Sequence, residues 1–220
     1  MAEQKKDEMV NEVISSSEKF LVKNQKTIIT VLVAIIAVVA IVLAVKHFYL
    51  EPRETKAQEA LFQPVLAFEQ DSLDLALNGN AEFEGLLAVI DNYGSTKAGN
   101  LACAYAGLAY YEKGEYENAQ EYLSKFAAKE ALLSPAITAT IGNALVYMDK
   151  AAEALKYFEK AAKVADNDVF SPLYLMKAAN VYEKLGDKAA ALKVYEQIKA
   201  QYPTSQQAGQ MDAYIERVKK

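Results

Sequence analysis

Tryptophan is absent, and cysteine and histidine occur once each, as Cys103 and His47. One cysteine cannot close an intramolecular disulfide, so the fold must stand on packing. One histidine removes every site that needs two imidazoles and restricts Ser-His-Asp or Cys-His chemistry to that residue. Nine glycines and five prolines in 220 residues are too few for a sandwich or barrel of many turns. A surplus of positive charge is also missing. Residues 46–220 hold 19 basic and 24 acidic side chains, a net of −5. Nothing there would displace counterions from phosphate, which argues against a nucleic-acid partner. The glycines form no phosphate-cradling cluster, and the acidic pairs Glu115/Glu117 and Asp166/Asp168 lack calcium-loop spacing. No cofactor, metal or catalytic residue is expected, since an enzyme would have to work from scattered carboxylates. Such a chain acts through its surfaces.

What is present favours helices. Ala, Leu, Lys, Glu and Tyr dominate, and 52% apolar with 24% charged residues excludes wholesale disorder. From Thr27 to Val45 the chain runs 19 residues without a charge. As a helix that block spans about 28 Å, close to the hydrocarbon thickness of a bilayer. Its Ile and Val would disfavour a helix in water, but lipid leaves the backbone no other way to satisfy its hydrogen bonds. Lys26 closes one end, and Lys46, His47 and Tyr49 sit at the other interface. A cleaved signal peptide is disfavoured by the 26-residue region before it and by the lack of a small-x-small site ahead of Lys46. The block reads as a signal anchor. Near the span, Lys19, Lys23 and Lys26 balance Lys46, Arg53 and Lys56, whereas the whole tail carries five lysines, which favours the N-terminus inside. The soluble part would then be periplasmic in a Gram-negative cell.

Repeats follow. Gly107, Gly142 and Ala179 lie 35 and 37 residues apart, and Ala119, Ala154 and Ala191 show the same two intervals. Large residues recur around them: Tyr110, Leu123 and Phe126; Ile141, Leu145 and Phe158; Leu175, Tyr182, Tyr195 and Ile198. Turn glycines Gly114 and Gly186 divide the first and third copies, whereas the second has Asp149-Lys150, a departure expected to loosen packing. This pattern resembles the tetratricopeptide repeat, a helix-turn-helix unit whose small residues let paired helices approach. The fold class expected is all-α, one membrane helix followed by an α-solenoid. Boundaries are a cytoplasmic tail at 1–26, an anchor at 27–46, a juxtamembrane helix and degenerate half-repeat at 47–97, three repeats at 98–203 and a cap helix at 204–220. Pro64 is expected to start or kink one helix of 51–77. Ala208, Met211, Ile215 and Val218 give the cap an apolar stripe.

In that family the first helices line a binding groove. The matching positions are Leu101, Ala104, Leu108 and Tyr111; Ala139, Asn143, Val146 and Tyr147; and Leu173, Met176, Asn180 and Glu183. No Lys or Arg falls among them, so a clamp for a terminal carboxylate is not expected. The apolar, Tyr- and Asn-bearing groove suits an extended or helical polypeptide segment. The other reading is that the chain's own helix at 51–77 or 204–218 fills it. Cys103 is expected as a buried small hydrophobe and His47 as an interfacial side chain. The tail offers Phe20 and Leu21 beside its lysines, and Met9, Val10, Val13 and Ile14 as one stripe resting on lipid, unless the tail is disordered.

The layout as a whole, with EKFLVKNQK before one anchor and YGSTKAGNLACAYAGLAYYEKGEYENAQEYLSKF in the repeats, resembles the YfgM-like family of its Bacteroidetes type, ancillary to the SecYEG translocon. That resemblance implies an inner-membrane, non-catalytic adaptor whose periplasmic repeats contact the Sec translocon, a periplasmic chaperone or nascent polypeptide. An architectural scaffold for another envelope assembly is the alternative.

Overall fold

A computed structural model describes residues 2–127 and 133–220, with side chains for 23–127 and 133–220. The tail residues Met9, Val10, Val13, Ile14, Lys19, Phe20 and Leu21 lie outside the described side chains. The described residues are helical, apart from loops and one isolated bridge between Gly79 and Glu84. The chain divides into two compact units, Met1–Pro52 and Arg53–Lys220.

The first unit contains helix α1, Ala2–Val45, followed by a wide π-type turn at Lys46–Leu50. It includes the one described helix long and apolar enough to cross a membrane. From Ile28 to Val45 its large apolar side chains are all exposed, Ile41 at 63%. An apolar surface of that length gains nothing from water. The Thr30 hydroxyl donates to the Lys26 carbonyl at 2.9 Å, so the helix itself satisfies it. On the wide turn, the His47 ring meets the Glu51 carboxylate at 2.9 Å.

The second unit is built of helix pairs. Its helices are α2 (Glu51–Glu69), α3 (Leu73–Asn78), α4 (Leu86–Tyr93), α5 (Lys97–Glu112), α6 (Tyr116–Lys125), α7 (Leu133–Tyr147), α8 (Ala151–Ala165), α9 (Phe170–Lys184), α10 (Lys188–Gln201) and α11 (Met211–Lys219). The pairs α5/α6, α7/α8 and α9/α10 follow the repeat interval read from the sequence. Their packing is set by small residues. A Cβ on Gly107 would meet the Leu123 side chain at 2.5 Å and its backbone N at 2.8 Å. One on Gly142 would meet the Phe158 ring at 2.8 Å. Ala179 is fully buried in the third pair. The large residue of each second helix is buried in turn: Leu123 at 1%, Phe158 at 2% and Tyr195 at 0% exposure. Each such burial stabilises by about 1.5–3 kcal/mol.

The turns between paired helices repeat one geometry. Gly114 N–H donates to the Tyr111 carbonyl and Glu115 N–H to Tyr110, and Gly186 and Asp187 do the same to Glu183 and Tyr182. Asp149 and Lys150 donate equivalently to Val146 and Leu145. Gly114, Asp149 and Gly186 have φ of 78°, 58° and 81°. The second repeat therefore keeps the turn that its Asp149-Lys150 was expected to loosen. It forces an aspartate into the left-handed region instead.

α2 ends the same way. Asp71 has a φ of 59°, and it and Ser72 donate to Phe68 and Ala67. The helix continues through a buried Pro64 rather than starting there. α2 thus plays the part of a first helix, and α3 and α4 share the part of its partner. It also caps α5. The Glu54 carboxylate accepts from the backbone N–H groups of Lys97 and Ala98 at 2.7 and 3.1 Å, and Thr96 Oγ1 accepts from Gly99 N–H at 2.9 Å. Thr96 N–H donates to the Tyr93 carbonyl at 2.8 Å, so all four orphan donors at that helix start are satisfied.

At the other end, α11 buries Met211 and Val218 against the repeats. Tyr214 stacks on Tyr195 with centroids 5.1 Å apart. Arg217 donates to the Glu183 carboxylate at 2.6 Å, and the Tyr195 hydroxyl donates to the same group. Burial acts to raise Glu183, but the hydrogen bonds from Tyr195 and Arg217 outweigh it and hold the carboxylate below its ordinary value. Tyr195, buried against that carboxylate, is pushed well above the usual phenol value.

Two substitutions should move stability in opposite directions. Gly107→Ala gains about 1 kcal/mol of helix propensity but meets backbone, so overpacking of about 1–3 kcal/mol should leave a net loss. Asp149→Gly should raise stability by about 0.5 kcal/mol, because relief of left-handed strain exceeds the entropy lost by glycine. Urea denaturation midpoints of the two variants check both signs. A third variant tests the cap. A carboxylate depressed in the fold stabilises it above the unfolded value of 4.5, and that contribution fades as pH falls through the folded value. Glu183→Gln should therefore lower the midpoint at neutral pH and converge on the parent protein as pH falls through the depressed folded value.

Candidate polypeptide-binding site

The C-terminal halves of α5 and α7 and the middle of α9 enclose an open pocket of about 260 Å³. Its lining includes Tyr111, Asn143, Val146, Tyr147 and Asn180, five of the positions expected from the sequence. None of its lining residues comes from α2 or α11, so neither terminal helix fills it. The repeat spacing explains this convergence, since each residue sits on the same face of its first helix.

Aromatic stacking shapes one wall. Tyr147 at the end of α7 lies flat on Tyr116 at the start of α6, with centroids 4.6 Å apart and planes at 8°. Tyr111 meets both edge-on, at 5.6 and 6.1 Å. Burial, then the neighbouring Tyr147 and Tyr116, push the Tyr111 phenol above its ordinary value, so it remains a hydroxyl near neutral pH. Tyr147 itself is 61% exposed and forms a rim.

The opposite wall holds a cation that the positional reading missed. Half-buried Lys177 lines the pocket, and its Nζ donates to Asn143 Oδ1 at 3.1 Å. It also lies 5.9 Å from the centroid of the Phe158 ring, which forms the floor with Val181. Burial pulls the lysine below its ordinary value. Among the described residues no carboxylate lines the pocket and Lys177 has no ion pair. The expectation that no Lys or Arg faces the groove is thus corrected. The carried-over positions stepped from Met176 to Asn180 and passed over residue 177. It lies four residues after Leu173 and three before Asn180, on the same helical face.

The remaining expected residues lie elsewhere. Ala139 and Ala104 are buried, at 3% and 2% exposure, in one apolar cluster. They are spacers between first helices rather than contact residues, because a methyl group is all the space there admits. Leu108 and Met176 are partly buried against the same cluster. Leu173 is 39% exposed, outside the pocket. Leu101 joins Tyr105 and the α2 residues Leu61, Phe62, Val65 and Leu66 around a second depression of about 300 Å³. There Phe62 is 64% exposed. Glu183 is held by Tyr195 and Arg217 and does not reach toward Lys177 as a counter-charge. Cys103 is buried, with its thiol on the Gly99 carbonyl and pushed up by burial. Among the described residues, no group of three or more His, Cys, Asp or Glu is placed to hold a metal ion.

The geometry agrees with comparisons to known proteins. Residues 105–130 and 140–205 each match a tetratricopeptide-repeat family model. Over 134 residues the chain is 29% identical to a TPR repeat-containing protein of Methanocaldococcus jannaschii, an alignment covering 60% of this chain and 23% of that protein. The chain thus spans under a quarter of the length of this relative. The intervals, the glycine contacts, the shared turns and these matches lead to one conclusion: the paired helices between residues 105 and 205 are tetratricopeptide repeats.

Proposed function

We propose that this protein is a non-catalytic, membrane-anchored adaptor that holds polypeptide segments in the pocket formed by α5, α7 and α9. The observation that carries the reading is the composition of that pocket. It offers an exposed tyrosine rim, two asparagine amides and one lysine on an otherwise apolar floor. Aromatic faces supply area at low entropic cost, and amides bond to the backbone of an extended chain. The apolar block from Thr27 to Val45 serves as an uncleaved anchor in this reading, with the tail cytoplasmic and the repeats periplasmic at a bacterial inner membrane. Its resemblance in layout to the YfgM-like family supports a place beside the Sec translocon, contacting nascent polypeptide or a periplasmic chaperone. Tethering raises effective concentration, so weak contacts suffice.

A photo-crosslinking phenylalanine analogue at Tyr111 or Tyr147 should capture translocon subunits, a chaperone or nascent chains in cells. The same analogue at Val164, exposed on α8 and outside the pocket, should not. Capture of one unrelated envelope complex would support the architectural alternative, and equal labelling at all three positions would overturn the assignment of this pocket. A periplasm-dependent reporter fused after Lys220 should be active, and cytoplasmic activity there would reverse the topology.

A further inference from the structure

The two ends of the helix array are finished differently. At the C-terminal end α11 buries Met211 and Val218 and exposes Asp212, Glu216 and Lys219. That is the polar outer face a terminal helix of a solenoid requires. At the other end α2 buries Ala57, Leu61, Pro64 and Ala67 but leaves Phe62 64% and Leu66 37% exposed. Both line the depression of about 300 Å³ between α2 and α5. Within the repeats a small residue lets paired helices touch, whereas α2 meets α5 through rings. Phe68 stands edge-on to Tyr105 with centroids 5.4 Å apart. Large apolar side chains beside an open apolar depression mark a surface that is covered in use.

Charge decides what covers it. Residues 53–127 carry 12 acidic and 5 basic side chains, a net of −7, whereas residues 133–220 carry 10 and 12, a net of +2. Of the five bases, Lys113 is held by Asp74 and Glu115, Lys125 by Glu121, and Arg53 donates to the Asn92 carbonyl. The acids of this face gather at one end. Glu54 caps the start of α5 and Phe68 meets Tyr105 further along, so α2 and α5 run the same way. Glu69, in the last turn of α2, lines the depression. Glu112, the last residue of α5, lies about three turns beyond Leu101 on the same face. Both are exposed, and among the described residues neither is in an ion pair. The C-terminal dipoles of the two helices deepen the same negative end. A second copy of this chain, or an anionic lipid surface, would bring like charge against it. A cationic amphipathic partner brings opposite charge.

We propose that α2 and α5 form a second docking surface, for a basic amphipathic helix of another polypeptide. Its apolar side chains lie on Phe62, Leu66 and the depression, and its Lys or Arg reaches Glu69 and Glu112. Helices lying side by side share one rise per residue, so the seven positions from Phe62 to Glu69 are matched by seven in the partner. The recognised pattern is apolar at i and i+4 and basic at i+7. This surface goes beyond the pocket of α5, α7 and α9 and does not depend on what that pocket holds.

The test places the full chain in phosphatidylcholine nanodiscs, with empty discs as the blank. The probe is a fluorescein-labelled, acetylated and amidated peptide helix with two units of Leu at i and i+4 and Lys at i+7. Fluorescence anisotropy should show binding to the loaded discs, and a peptide with Glu in place of each Lys should bind about tenfold more weakly or worse. Phe62→Ser, at an exposed position, should weaken the Lys peptide to a similar degree. Glu69→Lys combined with Glu112→Lys should reverse the preference between the two peptides, a result that a misfolded variant cannot give. Equal binding of the two peptides, or binding unchanged by Phe62→Ser, would overturn the inference. Equal uptake by empty discs would overturn it in favour of lipid partition. A parent protein that sediments as a dimer, becomes monomeric with Phe62→Ser and takes up neither peptide would overturn it in favour of a second copy. Loss of the Lys peptide with Tyr147→Ser but not with Phe62→Ser would overturn it while leaving the polypeptide-binding reading of the other pocket intact.

Discussion

The close approach of helices within each pair is the constraint from which the rest of this protein follows. At Gly107 and Gly142 there is no room for a side chain, because Leu123 and Phe158 occupy the space a Cβ would need. That contact fixes the distance and rotation of each pair. Once rotation is fixed, the outward faces of α5, α7 and α9 are fixed as well, and residues 34 or more positions apart, such as Asn143 and Lys177, come within hydrogen-bonding distance. A chain without disulfides or metal sites among its described residues has few other ways to hold distant residues in register.

The fold was largely readable because its signals are local and repeated. Small and large residues at one interval, with turn glycines between them, specify paired helices without any long-range information. The second turn was harder to judge. Asp149 lacks the freedom of Gly114 and Gly186, but the three backbone bonds around it are formed all the same, since packing on both sides over-determines the turn. The role of α2 was hidden for a related reason. Its turn uses Asp71 rather than Gly, and its partner helix is broken between Asn78 and Leu86, so no interval survives to be counted.

The candidate face was legible in part. Of the positions lifted by repeat register, Tyr111, Asn143, Val146, Tyr147 and Asn180 line one pocket. They failed where register says nothing about depth. Ala139 and Ala104 share the face but lie beneath it, and only the distance between neighbouring first helices decides that. Lys177 was passed over because the register positions step from Met176 to Asn180. Its placement against Phe158 belongs to the tertiary structure alone.

The stacked Tyr116 and Tyr147 rings join the second helix of one repeat to the first helix of the next. A pocket wall made by such a junction is also a hinge plate. Flexing between the two repeats would slide one ring across the other and change the width of the mouth beside them. The elasticity of the array and the width of that mouth are then one mechanical property, and stiffening either would be felt in the other.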